Sequence, residues 1–271
     1  MSPTDLTSRE PVDVSREANL RGWLDRGATV HPNKVLLKSI EQRKSATYGE
    51  AQEFCRRLSN KLRKLGLLAN DRVALLANNA LEHLLLYFGV MYYGATICTI
   101  HVEHNVGIIK KIVKTLDPKI VIFEENLGLE LELDQLSYPT HPLGTWSQTN
   151  NAGFFEEIAT YSPEVFASVN GPDDIATIFF TSGTTAEPKG ILYKFRHLEN
   201  NVSAVTEAFD IHAEDLLFDY RSFNWASAQM LSALGVICQG ATLLLARKFS
   251  KSRFFDWIEI HKPTVVVGNP T

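Results

Sequence analysis

The sequence predicts an α/β fold with parallel sheets flanked by helices. Segments with a helical spacing of apolar residues alternate along the chain with short, β-branched apolar runs. Such alternation is typical of parallel sheets that are covered on both faces. The 271 residues are 45% hydrophobic and 21% charged, which is ordinary for a globular protein with a sizeable core. We therefore expect one large domain or two smaller ones, without extended disorder.

The elements of the first half carry clear start and stop signals. Thr47 and Glu50 have the spacing of a capping box, and apolar residues then recur at helical spacing until Gly66. The pattern next predicts a strand at 72–77, a helix opened by Asn79 and Glu82 and ended by Gly94, a strand at 95–100, a helix closed by Pro118 and a strand at 119–123.

The second half begins after a weaker stretch. Acidic and turn-forming residues from 124 to about 172 predict loops and short strands. Alternation then resumes, with helices predicted near 198–209, 230–238 and 254–260 and strands at 175–180, 216–220, 241–246 and 264–267. We therefore expect a first α/β subdomain at 1–170, with a variable linker from about 124, and the start of a second at 171–271.

The run Thr181 to Gly190, TSGTTAEPKG, is the strongest functional signal. Hydroxyls and amides around glycine donate hydrogen bonds, and Lys189 adds a full charge, so the segment can wrap a polyphosphate. The alternative is a solvent-exposed hairpin turn, which needs neither so many hydroxyls nor a lysine. The Walker pattern and the G-x-G-x-x-G dinucleotide pattern are both absent here. We therefore predict a phosphate-binding loop of another kind.

Composition restricts the partners and the compartment. The formal net charge of −4 argues against a general nucleic-acid or anionic-membrane surface. Lys189, Lys194 and Arg196 are expected to set a local positive field at the loop. The three cysteines lie far apart in apolar stretches, as buried free thiols do in a reducing compartment. With no signal-peptide pattern and no long apolar run, we expect a soluble, cytoplasmic protein.

The decapeptide at 181–190 resembles the signature loop of adenylate-forming enzymes, the superfamily of acyl-CoA synthetases, luciferases and peptide-synthetase adenylation domains. The family pattern TSGTTGxPKG is matched everywhere except at Ala186, where the family usually has Gly or Ser. Further segments resemble family motifs at 48–50, 71–74, 91–95 and 263–271. The stretch 249–267 is similar to carnitine- and fatty-acid-type CoA ligases. The resemblance implies the front part of the large N-terminal domain of such an enzyme.

The resemblance also implies a reaction and its sites. A carboxylate attacks ATP to give an acyl-adenylate and pyrophosphate, and a thiol, usually coenzyme A, then displaces AMP; Mg²⁺ bridges phosphate oxygens. The implied nucleotide-binding residues are Thr181, Ser182, Gly183, Thr184, Thr185 and Lys189. Trp225 is implied as the acyl-pocket residue, with Asn224 and Ser227 as neighbours, although a tryptophan packed in an ordinary core stays an open alternative.

No catalytic residue is expected within the chain, because the family's adenylation lysine and small C-terminal domain correspond to positions beyond Thr271. We expect the isolated chain to be weak or inactive, with the missing C-terminal portion or a second copy as a partner. The alternative is a non-catalytic nucleotide-binding or interaction module. A nicotinamide oxidoreductase lacks its glycine fingerprint here. His101, Glu103 and His104 hint at a metal site, but a polar loop is the preferred interpretation.

Overall fold

The computed structural model describes residues 19–127, 137–147, 151–180 and 188–268. Its helices are α1 (Leu20–Val30), α2 (Tyr48–Lys64), α3 (Leu81–Tyr93), α4 (Val106–Leu116), α5 (Phe154–Ala159), α6 (Phe195–Ala208), a π-helix (Ala228–Leu234), α7 (Gly235–Gln239) and α8 (Phe254–His261). Its strands are β1 (Val35–Ser39), β2 (Lys44–Thr47), β3 (Arg72–Leu76), β4 (Thr96–Thr99), β5 (Ile120–Phe123), β6 (Thr140–Pro142), β7 (Ile175–Phe180), β8 (Gly190–Lys194), β9 (Leu216–Asp219), β10 (Thr242–Leu245) and β11 (Val265–Val267).

The strands form two mostly parallel sheets. Sheet A has the order β11-β9-β10-β1-β2, and sheet B has the order β6-β5-β3-β4-β7-β8. Within each sheet all neighbours are parallel except one edge pair, β1 with β2 and β7 with β8. The prediction of parallel sheets flanked by helices is confirmed, with an antiparallel strand added at one edge of each sheet.

The two sheets do not divide the chain at residue 170. Strands β1 and β2, from the expected first subdomain, complete the sheet built by β9, β10 and β11. Conversely, β7 and β8, from the expected second subdomain, extend the sheet of β3 to β6. Apolar runs in the sequence predict that a strand forms, but they do not determine which strand it pairs with. Leu37, for example, is in register with Leu243.

Helix starts follow the sequence signals at one helix and depart from them at the next. Thr47 and Glu50 form a complete capping box at the start of α2, as predicted. Helix α3 begins at Leu81, and its N-cap residue Ala80 makes no side-chain capping bond. The prediction that Asn79 opens this helix is wrong, because the Asn79 side chain bonds to the loop after β9 instead.

The largest group of buried apolar side chains spans both sheets, from Leu37 in β1 to Val73 in β3. Every residue of α3 is buried, which places this helix inside that core. All three cysteines are buried and free, as the sequence predicted. Among the described residues, no helix combines the length and the apolar character needed to cross a bilayer.

Candidate functional site

Two adjoining cavities lie at the carboxyl ends of strands from both sheets, the edge where open α/β sheets bind ligands. The first has a volume of about 490 Å³ and is lined by Asn79 after β3, His101 after β4 and Arg221 after β9. The second, of about 510 Å³, is lined by Thr99, His101 and Phe180 among others. His101 and Trp225 belong to the walls of both cavities.

The residue directly before the predicted phosphate loop lines the second cavity. Thr181, Ser182, Gly183, Thr184 and Thr185 lie outside the described residues. Phe180, the last residue before them, lines the second cavity. Gly190 pairs with Phe180 in register, so β7 and β8 form a hairpin and the predicted loop is its connection. The flanking strands therefore form the hairpin that was considered as the alternative from sequence. A hairpin does not exclude phosphate binding by the residues that connect its strands.

Of the three cationic side chains expected to act at this loop, two are paired with a carboxylate elsewhere. Lys189 is exposed and directly precedes Gly190. Lys194 lies at the far end of β8, roughly 13 Å from Gly190 at about 3.3 Å per residue, which exceeds a Debye length of about 8 Å. Lys194 and Arg196 both form ion pairs with Asp173. The expectation that Lys194 and Arg196 set the field at the loop is therefore wrong.

Of the three implied acyl-pocket residues, two line the cavities and one does not. Trp225 is 44% exposed and lines both cavities, so the alternative of a tryptophan packed in an ordinary core does not describe it. Asn224 lines both cavities, is buried, and donates a hydrogen bond to the Ala77 carbonyl at 3.0 Å. Ser227 is on neither cavity wall; its hydroxyl accepts a hydrogen bond from Arg221 Nη1 at 3.2 Å.

Buried polar side chains hold the 220–227 segment in place. Asn79 accepts a hydrogen bond from the Phe223 amide at 2.8 Å and donates one to the Arg221 carbonyl at 2.7 Å. Gln229, on the π-helix, donates to the Phe223 carbonyl at 2.5 Å and to the Thr99 hydroxyl at 2.7 Å. The wall that carries Trp225 is therefore fixed to both sheets.

A buried ion pair lies beneath the same wall. The Arg221 guanidinium binds the Asp219 carboxylate at 2.7 Å, and the Ser232 hydroxyl donates to that carboxylate at 2.5 Å. Asp219 is fully buried and Arg221 nearly so. Because this carboxylate neutralises it, the guanidinium is not a free cation for a ligand. Sequence reasoning missed this pair, although the Asp-x-Arg spacing at the end of a predicted strand was visible.

Burial lowers the pKa of two histidines, His83 in α3 and His101 on the cavity wall. Burial lowers the pKa of His83 to about 4, against the smaller effect of its hydrogen bond to the Asn78 carbonyl. Burial also lowers the pKa of His101, followed by the charge of His104, while the Glu103 carboxylate opposes the shift. In the described part of the chain, no cluster of three His, Cys, Asp or Glu residues is placed to hold a metal ion.

Two mostly parallel sheets with cavities at their carboxyl edge define an α/β protein with a candidate ligand site, and comparison with known proteins gives its family. The model of the family "AMP-binding enzyme" matches residues 24–271, so the chain belongs to the AMP-binding enzyme family. This confirms the resemblance drawn from the signature loop, and it agrees with the predicted fold class of parallel α/β sheets flanked by helices.

Curated relatives are similar over most of this chain. 4-coumarate–CoA ligase 3 of Arabidopsis thaliana is 28% identical over 248 residues, which cover 84% of this chain and 42% of the relative. Long-chain-fatty-acid–CoA ligase FadD13 of Mycobacterium tuberculosis is 26% identical over 250 residues, covering 91% and 48%. The chain thus spans less than half the length of both relatives.

Solved structures agree on the fold. The inhibitor-bound N-terminal domain of FACL13 from Mycobacterium tuberculosis has a TM-score of 0.81 at 22% identity, covering 92% of this chain and 62% of that domain. The ATP-bound MatB of Rhodopseudomonas palustris has a TM-score of 0.79 at 20% identity, covering 92% and 49%. At these identities the likeness is one of fold.

Proposed function

We propose that this chain supplies the nucleotide- and acid-binding surfaces of an acid–CoA ligase, which activates a carboxylic acid with ATP and passes the acyl group to coenzyme A. Membership of the AMP-binding family and the signature segment support the nucleotide. One structural observation carries the rest. The second cavity is lined both by Trp225 and by Phe180, the residue directly before that segment.

The proposed first step needs position and charge more than covalent chemistry. The substrate carboxylate attacks the α-phosphorus of ATP, pyrophosphate leaves, and an acyl-adenylate forms. Such a step is accelerated by holding the reactants in line and by neutralising charge on the leaving group. We assign the neutralisation to the exposed Lys189 ammonium and the hydroxyls at 181–185. Trp225, on the wall of the cavity that Phe180 also lines, holds the acyl body.

The donor set fits a nucleotide better than a metal held by the protein. Hydroxyls, amides and one ammonium bind phosphate oxygens, and the run 181–190 contains a single carboxylate, that of Glu187, whereas a cation held by the protein needs several oxygen ligands. We therefore propose that Mg²⁺ enters with the phosphates and supplies charge neutralisation there. The acid substrate is proposed to be an acyl or aryl carboxylate, because the first cavity has the aromatic side chains of Tyr220, Trp225 and Phe249 on its wall.

Thermal stability in the presence of ligands tests the nucleotide site. Ligands that bind only the folded state raise the melting temperature by mass action. We expect millimolar ATP with Mg²⁺ to stabilise the chain and the Lys194→Ala variant, but not Lys189→Ala, and we expect no effect of NAD. Equal stabilisation of both lysine variants by ATP would contradict the assignment of Lys189.

Pyrophosphate release with a panel of carboxylic acids tests the chemistry. The chain spans less than half the length of the ligases that it resembles, so we propose that residues 1–271 alone turn over slowly. In the complete enzyme, we expect Lys189→Ala to release pyrophosphate about 100-fold more slowly, as loss of one charge-stabilising donor does elsewhere. ATP binding without turnover by any acid in that complete enzyme would favour a non-catalytic nucleotide-binding module.

A further inference from the structure

His101 lies on the wall that the two cavities share. Strand β4, which it follows, is the parallel neighbour of β7, and Ile97 is in register with Thr177. The chain therefore leaves both strands at the same edge, and His101 lines the second cavity together with Phe180. The His101 ring faces Trp225 with centroids 6.0 Å apart and planes 21° from parallel.

The hydrogen bond to one ring nitrogen of His101 fixes where its proton lies. The backbone amide of Glu103 donates to His101 Nδ1 at 3.3 Å. An amide N–H can only donate, so Nδ1 is the acceptor and the neutral ring carries its proton on Nε2. Burial lowers the pKa of His101, which favours this neutral form at physiological pH. No hydrogen bond to Nε2 is formed within the described ranges, so this donor stays available.

Three Lys or Arg side chains line the first cavity; two of them are already engaged, and the third, Lys248, lines the first cavity but not the second. The Arg221 guanidinium is bound by Asp219 at 2.7 Å, and that of Arg247 by Glu124 at 2.6 Å. Lys189 stands at the start of β8, where its charge suits phosphate oxygens. Among the residues that line both cavities, His101 has a ring N–H without a partner in the described residues, and it lies against the Trp225 ring that is proposed to hold the acyl body.

We propose that His101 determines acid binding in this site: its Nε2–H donates a hydrogen bond to a carboxylate oxygen of the substrate, whose hydrocarbon body lies against Trp225. This rests on the proposed function. It makes His101 a specificity-determining residue for the carboxylate group, because an alcohol or hydrocarbon of the same length presents no charged acceptor there. The bond transfers no proton, and it positions the oxygen that attacks ATP.

Two substitutions separate the hydrogen bond from the ring contact. His101→Phe keeps a flat ring against Trp225 and removes the N–H. His101→Gln removes the ring and keeps an amide N–H near the Nε2 position. The matched control is His197→Phe, at an exposed position on α6. Calorimetric binding of octanoate and cinnamate, with octanol and cinnamyl alcohol as uncharged counterparts, measures the effect on the full chain.

We expect His101→Phe to weaken binding of the tighter of the two acids about 10-fold or more, since hydrogen bonds to charged groups are the stronger ones. His101→Gln should stay within about 3-fold of the parent by the same reasoning, and the alcohols and the control should change little. Equal losses for acid and alcohol, unchanged acid binding in His101→Phe, or no binding of either acid would overturn the proposal.

The same preparations distinguish this inference from the proposed function. If ATP with Mg²⁺ stabilises the parent and this effect depends on Lys189, the proposed function is supported, even if acid binding does not depend on His101. Acids binding through His101 without any ATP effect would keep the acid site and overturn the ligase assignment.

Discussion

The side-chain carbonyl of Asn79 accepts a hydrogen bond from the backbone amide of Phe223 at 2.8 Å, across 144 positions of sequence. The same side chain donates to the carbonyls of Arg221, at 2.7 Å, and Ala246, at 3.1 Å. Asn79 follows β3 in sheet B, whereas its partners follow β9 and β10 in sheet A. This buried amide therefore links the two sheets at the cavity.

Replacing Asn79 by alanine should destabilise the protein substantially. The substitution leaves the Phe223 amide and two buried carbonyls without their partner, and an unsatisfied buried polar group costs about 1–3 kcal/mol. We expect the free energy of unfolding to fall by roughly 3 kcal/mol in urea titrations. Acrylamide quenching of tryptophan fluorescence should also increase, because the segment with Trp225 loses its fixed position.

The control for this variant is Asn201→Ala, at an exposed position on α6. Surface substitutions of this kind change stability by about 0.5 kcal/mol or less. If Asn79→Ala unfolds at the same urea concentration as Asn201→Ala, Asn79 does not hold the sheets together as we argue.

The Asp219–Arg221 pair should be far more sensitive than surface ion pairs. Asp219→Asn leaves the buried guanidinium without its counter-charge, and breaking a buried pair in this way costs about 3–5 kcal/mol. Adding Arg221→Met removes the orphaned charge, so the double variant should recover part of the loss in a double-mutant cycle. Asp173→Asn, in the exposed pair with Lys194, should cost about 1 kcal/mol or less. Simple additivity of the two core substitutions would contradict the coupling.

His83 should make stability fall on mild acidification. Its pKa drops from 6.5 to about 4 on folding, because burial disfavours the charged ring. Above pH 6.5 the ring is neutral in both states and has no effect on stability. As the pH falls from 6.5 towards 4, only the unfolded state takes up the proton, so the folded state loses up to roughly 3 kcal/mol relative to it.

His83→Gln tests this pH dependence, with His197→Gln as the exposed control. The difference in unfolding free energy between parent and His83→Gln should shift across that window, and the control should follow the parent. A constant difference between parent and His83→Gln from pH 7.5 to pH 4 would show that His83 does not cause the acid sensitivity.

Local signals in the sequence predicted most of the fold. The capping box of Thr47 and Glu50 and the helix stop at Gly94 depend on neighbours within a few residues, so they could be recognised without a structure. Asn79 has the same appearance as a capping residue, but its partners lie more than a hundred positions away. No spacing rule contains that information, and the interpretation failed there.

In the candidate site, too, contacts between residues far apart in sequence could not be predicted. The signature segment identified the family, because the hydroxyls, glycines and lysine proposed to bind phosphate can be recognised from the sequence alone. Lys194 and Arg196 were grouped with it only because they are near in sequence, while an extended strand carries charges away from a loop at about 3.3 Å per residue. His101 was set aside as part of a polar loop, and only the parallel pairing of β4 and β7 brings it to the cavity.

Alanine substitutions at two glycines of α1 should change the free energy of unfolding in opposite directions. A Cβ on Gly27 would lie 2.4 Å from the Tyr48 ring. That ring cannot move away easily, because its hydroxyl donates to the carbonyls of Val236, at 2.9 Å, and Ala241, at 2.7 Å. Gly27→Ala should therefore lower the free energy of unfolding by about 1–3 kcal/mol, as overpacked cores do, despite the better helix propensity of alanine.

Gly22, on the same helix, separates the clash from the propensity. A Cβ there meets no atom closer than 3.4 Å, the side-chain oxygen of Asn19. Gly22→Ala should therefore gain up to about 1 kcal/mol from helix propensity alone. Urea unfolding of both variants should give changes of opposite sign. Stabilisation by both would mean that Tyr48 can give way, and that its two hydrogen bonds do not fix the contact between α1 and the core.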